Sequence, residues 1–599
     1  RINPTRKTVV YFTKDGVATA IEPKGVKEAL GSLQAEQWKL AIDRELDNLM
    51  SHGAFHLVPY DEPRSKGKAV MRMTWVFKIK VNDDRSLSKY KARFCVVGTG
   101  QQQGSDFFEK FACGARGSSV KMCCICTVVS GWLDFHFDLD GAFLDANIDA
   151  DVYVDQAQGV PHVYGPRGER MCMKLDKAIY GTVQAGRLFT KKFRAALLDI
   201  GFECCLDDES VYRLKHRLGD IILSAHVDDG IGGASTRAVL DWMYEQIIAR
   251  GFSFSQRGPW QTVLGFGVER DRSQRTVKLM ARKHIADLVA EHLADETVNL
   301  HPPTPSQKSV MHLEAGPVET PEQIAANAGW RTKARSLKGA LIHVAQIHPA
   351  IANATSRCCA LMAMPTHESY AAAKRILAWL RDRPTLGVVW GAPHLTALTD
   401  LLPTARPLHP MGSERDYSLS CTVDSDLPGT PMTDDANAAQ DRGSHRAQLG
   451  YVLSLAGGSI ESVSRRQHST AVDTPAAELF AASTAAAVIV NVRAVLDFVS
   501  FGTLGRDPVR VWCDNEAAVM VSKDATSIKR LAYIARRVRF LQELVERAVV
   551  IMLNVAGTVN PADALTKHVE PKAAYREYMA RIYNVHCNSF CQPKESPTT

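Results

Sequence analysis

Between Ile221 and Gly233 the chain reads IILSAHVDDGIGG. Asp228 and Asp229 are adjacent there, behind an apolar run (Ile221, Ile222, Leu223, Ala225, Val227) and ahead of a glycine-rich one. Neighbouring carboxylates repel, and the arrangement costs free energy unless a cation compensates it. The chain carries its own controls in Asp83-Asp84, Asp207-Asp208 and Asp434-Asp435, all in polar surroundings. Only the 228–229 pair follows a strand-like run. It is expected at the tip of a tight β-hairpin with a Gly-containing turn, a place suited to holding a cation.

A metal held there needs a third carboxylate from a neighbouring strand. In FHFDLDGAFL, Asp138 and Asp140 are two apart and are expected to share one strand face, with Phe137 and Leu139 on the other. Oxygen ligands without His or Cys nearby select a hard cation, Mg²⁺ over Zn²⁺. Two such ions about 3.5–4 Å apart serve phosphoryl transfer, where one oxygen attacks and another leaves.

The chain that positions these groups has 599 residues, which implies three or four domains. Its 45% hydrophobic and 23% charged content is that of folded globular protein, and no uninterrupted apolar run approaches the ~18 residues of a membrane span. The N-terminus, RINPTRK, lacks a methionine and an apolar signal region, so a piece of a longer precursor is expected. The 14 cysteines fall as singles and adjacent pairs, which fits a reducing compartment. Cys123 and Cys126 have a C-x-x-C spacing but no partner pair, and VKMCCICTVVSGW reads as a buried helix.

Net charge is only +7, yet ten Lys or Arg against two acids lie between Arg64 and Arg93. Apolar residues interleave with them in MTWVFKIKV, which predicts a basic β-hairpin fit for a phosphate backbone or, equally, a solvated face. An amphipathic helix (QWKLAIDRELDNLMSHG) precedes it; helices at 118–131 and around GRLFTKKFRAALLDIG follow, with the WLDFHFDLDGAFL strand between them. HPPTPS at 301–306 marks a linker or crossover, 328–384 reads as helices, and a second linker ends near Asp416. Beyond it a second α/β unit is expected: strand YSLSCTVDSD, a hairpin turning at Gly457-Gly458, helix PAAELFAASTAAAVIVNVRAVLDFV, then strands VRVWCDN and AVVIMLNVAG. In IKRLAYIARRVRF, Lys529, Tyr533, Arg536 and Arg537 fall on one side of a helix and suit a nucleic-acid backbone as well as solvent.

Several stretches together resemble the reverse transcriptase and ribonuclease H region of copia-type LTR retrotransposon Pol polyproteins. They are WVFKIKVNDDRSLSKYKARFCVVGTGQQQGSDFFEKF, DLDGAFL, KLDKAIYGTVQAGR, HVDD, VLGFGVE, SLKGALIHVA, PTHESYAAAKRILAWL, CDNEAAV and PADALTK, spread over residues 36–570. The resemblance implies a metal-binding polymerase triad of Asp138, Asp228 and Asp229, an aromatic sugar gate at Phe143, a nucleotide-pocket glutamine at Gln184, and cations at Lys91 and Arg93 for triphosphate or template. For the second unit it implies, with the α/β order, a ribonuclease H fold whose Asp424, Glu478, Asp514 and Asp563 hold metal. The chain departs from the family at His226 (tyrosine in the family), at DTPAAELF and ACGAR, and in the loop after Asp424, and no departure removes an acid.

The expected fold is a multidomain α+β one: a polar lead-in (1–35), a polymerase of fingers, palm and thumb (36–300), a connection (301–415), an α/β ribonuclease H-like domain (416–570) and a tail (571–599). The expected activity is RNA-directed DNA polymerisation with ribonuclease H cleavage, using two Mg²⁺ per site with Mn²⁺ as a substitute. Expected partners are an RNA template, a primer, deoxynucleoside triphosphates, a DNA/RNA hybrid and a second copy of the chain, with no membrane. The place of action is a cytoplasmic particle or the nucleus. A nucleic-acid-binding derivative without catalysis is the rival reading, and seven intact carboxylates weigh against it.

Overall fold

The strand Leu133–Leu139 divides its residues by the period of two: Phe135, Phe137 and Leu139 are buried in an aromatic-rich core, while Asp134, His136 and Asp138 alternate with them. In the computed structural model, which describes residues 8–13, 16–81, 86–111, 114–294, 301–313, 316–317, 319–391, 417–427, 446–524, 531–569 and 572–585, this strand lies inside a six-stranded sheet. The order is Glu203–Cys204, Val211–His216, Gly219–His226, Asp229–Ala234, Leu133–Leu139, Phe254–Gly258, every pair antiparallel. Helices Ala185–Ile200 and Arg237–Ala249 cover one face through Phe189, Phe193, Leu197, Val239 and Met243. Helix Gly117–Val129 covers the other, with Cys123 and Cys126 buried as core residues and burial pushing the Cys126 thiol up to about 12.

The hairpin forms at the expected place, but its turn contains no glycine. His226 pairs with Asp229, so the two-residue turn is Val227-Asp228, and Val227 takes the positive φ of 56°. The glycines fall in the returning strand, because neighbours leave no room for a side chain. A Cβ on Gly230 would stand 2.1 Å from the Phe137 ring, and one on Gly232 would stand 2.1 Å from the Ile222 carbonyl oxygen. Asp140 also departs from expectation: the strand stops at Leu139, and Asp140 lies exposed beyond it.

The basic hairpin pairs Met73–Val81 with Leu87–Val96. Trp75, Phe77 and Phe94 are buried on one face, and Trp38 of helix Ala35–Ser51 meets Phe77 edge-on. Farther along, Thr262–Val263, Phe266–Asp271 and Thr276–Met280 form a sheet completed by Val389–Trp390, so the helical segment after residue 300 returns to the preceding unit. Helices Ala328–Ala345, Ala352–Cys359 and His367–Arg381 occupy the stretch read as helical.

The C-terminal unit is a five-stranded sheet in the order Gly458–Arg466, Gln448–Leu455, Ser420–Asp426, Val509–Cys513, Val550–Asn554. The last three run parallel and the first two antiparallel. Its hairpin turns at Ala456-Gly457, one residue earlier than expected, with both φ angles positive. Asp473 caps helix Thr474–Val499, accepting from Ala476 N at 2.8 Å. At 26 residues this helix is long and apolar enough to cross a membrane, yet Ala476, Ala477, Ala481, Ala485 and Ile489 are buried inside the protein. Lys121 ties the units together: its buried ammonium donates to Gln346 O at 2.7 Å and to Ile460 O at 2.9 Å.

Gly232→Ala should cost about 1–3 kcal/mol or more, since backbone and not a flexible side chain blocks the added methyl. A urea midpoint lowered at unchanged slope is the expected result, and a wild-type midpoint would contradict this packing.

Candidate active sites

Strand register brings the first acids together. Asp138 and Asp229 are direct partners across Leu133–Leu139 and Asp229–Ala234, and Leu139 N donates to Asp228 O at 2.9 Å, tying the turn to the end of the neighbouring strand. Partial burial, then Asp138, raise the Asp228 carboxyl above its ordinary range, with Arg93 and His226 opposing. Partial burial, then Asp228 and Asp138, push Asp229 up to about 6. The hydroxyl of Ser255 donates to Asp138 Oδ2, an anchor that no sequence pattern marked.

Arg93 belongs to this group electrostatically, and its guanidinium lies over the Tyr180 ring at 4.7 Å. Tyr180 in turn meets Phe143 edge-on at 5.0 Å, so a chain Phe143, Tyr180, Arg93 leads to Asp228. Tyr180 sits inside KLDKAIYGTVQAGR, where no local pattern marks it, because only the fold brings it to Arg93. Lys91 pairs across the basic hairpin with Lys78, and Lys89 with Lys80. Partial burial, then Arg93, Lys89 and Lys80, lower the Lys91 pKa against the pull of Glu45, while Lys78 across the hairpin is paired with Glu22 at 2.6 Å. Gln184 is fully buried with its amide engaged by the 101–106 loop: it accepts from Gln101 Nε2 at 3.0 Å and donates to Asp106 O at 2.9 Å.

The second group gathers by parallel pairing. Val423 is the partner of Cys513, so Asp424 and Asp514 follow side by side at the same sheet end. Glu478, buried on the long helix, accepts from Ser425 N at 3.0 Å. Asp563 comes from the 3-10 turn Pro561–Leu565, fixed by Asn560, whose Nδ2 donates to Val423 O at 2.9 Å. Gly450, opposite Asp424, makes room for this turn, since a Cβ there would stand 2.8 Å from Leu565 and Thr566.

In two sets, Asp424-Asp514-Asp563 and Glu478-Cys513-Asp514, the ligand atoms all lie within 4.8 Å of one another. The 138-228-229 group is not drawn that tight among the described residues. Burial, then Asp424 and Asp514, raise Glu478 well above its ordinary range; burial, then Asp424, raise Asp514 and push Asp563 up to about 8. Lys567, missed in the sequence although it ends the PADALTK motif, stands 3.1 Å from Asp563 and 3.9 Å from Asp424. Burial works against its charge, yet Asp424 and Asp563 hold its ammonium above its ordinary value. Thr566 Oγ1 donates to Asp424 Oδ2. A carboxylate set this short of positive charge has the chemistry of a hard divalent-cation site.

Of the basic stretch, Lys529 lies outside the described residues. The helix runs Ala535–Glu546, Arg537 lies over the Phe480 ring at 4.4 Å, and the Tyr533 hydroxyl accepts from Val472 N at 3.1 Å.

Residues 55–304 match the family described as "Reverse transcriptase (RNA-dependent DNA polymerase)". The chain is a homologue of the Pol polyproteins of plant copia-type transposons. It is 27% identical over 576 residues to the "Retrovirus-related Pol polyprotein from transposon TNT 1-94" of Nicotiana tabacum, a match covering 95% of this chain and 39% of that protein. It is 25% identical over 573 residues to the corresponding polyprotein from transposon RE1 of Arabidopsis thaliana, covering 96% of this chain and 35% of that protein. The chain thus spans well under half the length of these relatives. Among solved structures it is similar to a foamy viral protease-reverse transcriptase in complex with ds DNA, with TM-score 0.43 and 12% identity over 86% of this chain and 69% of that one.

A pH dependence follows from Asp563. Burial and Asp424 raise its carboxyl well above the ordinary 3.8 in the folded protein, so over the range between the two the folded protein holds a proton that the unfolded chain has released. Stability therefore falls as pH rises through that window. In EDTA the melting midpoint should rise on going from pH 8 to pH 6, Asp563→Asn should flatten the slope, and Mg²⁺ should raise the midpoint more at pH 8 than at pH 6. An Asp563→Asn slope equal to wild type would contradict the assignment.

Proposed function

We propose that the chain is an RNA-directed DNA polymerase with ribonuclease H activity, copying retrotransposon RNA into double-stranded DNA. The observation that carries this reading is the pairing of Asp138 with Asp229, with Asp228 at the adjoining turn, inside the reverse transcriptase segment. On this reading 36–300 forms fingers, palm and thumb, 301–415 the connection and 416–570 the ribonuclease H domain. The basic hairpin then belongs to the fingers and the acid hairpin to the palm.

Asp138, Asp228 and Asp229 would hold one Mg²⁺ pair and Asp424, Glu478, Asp514 and Asp563 another, with Mn²⁺ as a substitute. Bound there, the ions supply charge stabilisation for phosphoryl transfer. The residues of the chain do the rest. The acid hairpin orients the primer's 3′-hydroxyl toward the α-phosphate of a deoxynucleotide, and orientation of this kind is a large part of catalysis. Arg93, whose charge acts on Asp228 and whose guanidinium lies over the Tyr180 ring, supplies positive charge for the triphosphate, and the Lys91/Lys89 stripe meets template phosphates. Phe143, braced by Tyr180, walls the sugar pocket and leaves no room for a 2′-hydroxyl. Gln184 shapes the nucleotide pocket by anchoring the 101–106 loop. In the C-terminal unit the acid cluster receives an RNA strand paired with DNA, and Arg537 and its helix lie beside it. The proposal includes a second copy of the chain as partner and a cytoplasmic particle or the nucleus as the place of action.

The two acid sets should separate by mutation. Asp228→Asn should lower primer extension about a hundredfold to a thousandfold while leaving cleavage of a preformed hybrid largely intact, and Glu478→Gln should do the reverse. A single change that silences both reactions in a folded protein would overturn the two-site reading.

Phe143→Ala should relax the preference for deoxynucleotides over ribonucleotides, read as a ratio of incorporation rates. An unchanged ratio would place the gate elsewhere.

A further inference from the structure

The turn that supplies Asp563 is gripped by a helix that precedes its own sheet in the chain. From helix Ala352–Cys359, Asn353 Nδ2 donates to Lys567 O at 3.2 Å and Arg357 Nη2 donates to Thr566 O at 3.1 Å. Between them Ser356 Oγ accepts from Gln448 Nε2 at 3.1 Å, and Gln448 is the strand partner of Asp426, two residues past Asp424. Residues 353, 356 and 357 share one helix face by their i, i+3, i+4 spacing, so a single face cradles this end of the sheet.

The gripped residues are the ones whose side chains touch the acids. Thr566 Oγ1 donates to Asp424 Oδ2, and Lys567 Nζ bridges Asp563 and Asp424. A small cavity of mixed lining, with Asn353, Lys567 and Tyr575 beside Ala354, Ala564 and Val569, lies next to this segment. Directed hydrogen bonds hold residues 566 and 567: the turn's own, from Thr566 N and Lys567 N to Asp563 O, and those from the helix. Asn353 is 3% exposed, and its Nδ2 is turned to this interior contact and to Met311 Sδ at 3.9 Å, while its Oδ1 has no partner among the described residues.

We propose that Asn353 and Arg357 are positioning residues of the C-terminal acid site, holding Thr566 and Lys567 so that Asp424 and Asp563 converge on one cation. The inference rests on reading those acids as a cation-holding, hybrid-cleaving site. It makes that site dependent on the connecting helix: the sheet carries the carboxylates, and the helix sets the turn that closes them.

The test uses the full chain as Asn353→Ala/Arg357→Ala and as Arg357→Lys, which keeps a donor within reach of Thr566 O. In the double variant, kcat for cleavage of an RNA/DNA hybrid should fall about 10–100-fold with KM little changed, and half-maximal cleavage should need correspondingly more Mg²⁺. Arg357→Lys should recover most of the activity, and primer extension by the double variant should stay near wild type. Wild-type cleavage with wild-type Mg²⁺ dependence in the double variant would overturn the proposal, as would a parallel loss of primer extension. If the wild-type chain cleaves no hybrid, the catalytic reading of the C-terminal unit fails instead. The Mg²⁺-induced rise in melting midpoint then decides the positioning: a smaller rise in the double variant supports it, and an equal rise overturns it.

Discussion

Like-charged groups held close by backbone pairing are the constraint on which the rest of this structure depends. Asp138 and Asp229 cannot separate without breaking strand register, and Asp424 and Asp514 cannot separate without breaking a parallel pair. Two unit charges 4.8 Å apart, the limit within which the ligand atoms of the second cluster lie, repel by on the order of 3 kcal/mol at an effective dielectric of about 20. That exceeds the roughly 1 kcal/mol net worth of a hydrogen bond, so local bonds cannot offset it alone. Burial and this repulsion together raise the carboxyl pKa values, and a proton or a divalent cation is the remedy available at each site, with Lys567 also at hand in the second.

The surrounding core supplies the rigidity. Phe135 and Phe137 press so close to the returning hairpin strand that only glycine fits at 230 and 232, which leaves the acid-bearing tip no freedom to splay. The alanine-rich start of helix Thr474–Val499 lies close on its sheet in the same way and brings Glu478 to Ser425. In both units apolar packing holds polar groups in a repulsive arrangement, an expected signature of a site kept for function and not for stability.

What the sequence made legible were features with a local period. Alternation in FHFDLDGAFL and MTWVFKIKV marked the strands, and the contrast between Asp228-Asp229 and the other Asp pairs marked the tip. The C-terminal strand and helix order was legible for the same reason. What escaped depends on contacts between distant residues. Val227 takes a left-handed turn because strand pairing on both sides demands it. Gln184 spends its amide on the 101–106 loop, Ser255 reaches Asp138 from a neighbouring strand, and Val389–Trp390 closes a sheet begun more than a hundred residues earlier. Asn353 and Arg357 read only as ordinary helical polar residues until the fold sets them against Thr566 and Lys567.

Primer extension on poly(rA)/oligo(dT) by the full chain, with Mg²⁺ and with EDTA in its place, tests the central claim most directly. Incorporation of thymidine nucleotides that requires Mg²⁺ and stops in EDTA is the predicted result. A folded, template-binding protein that extends nothing with either Mg²⁺ or Mn²⁺ would contradict it.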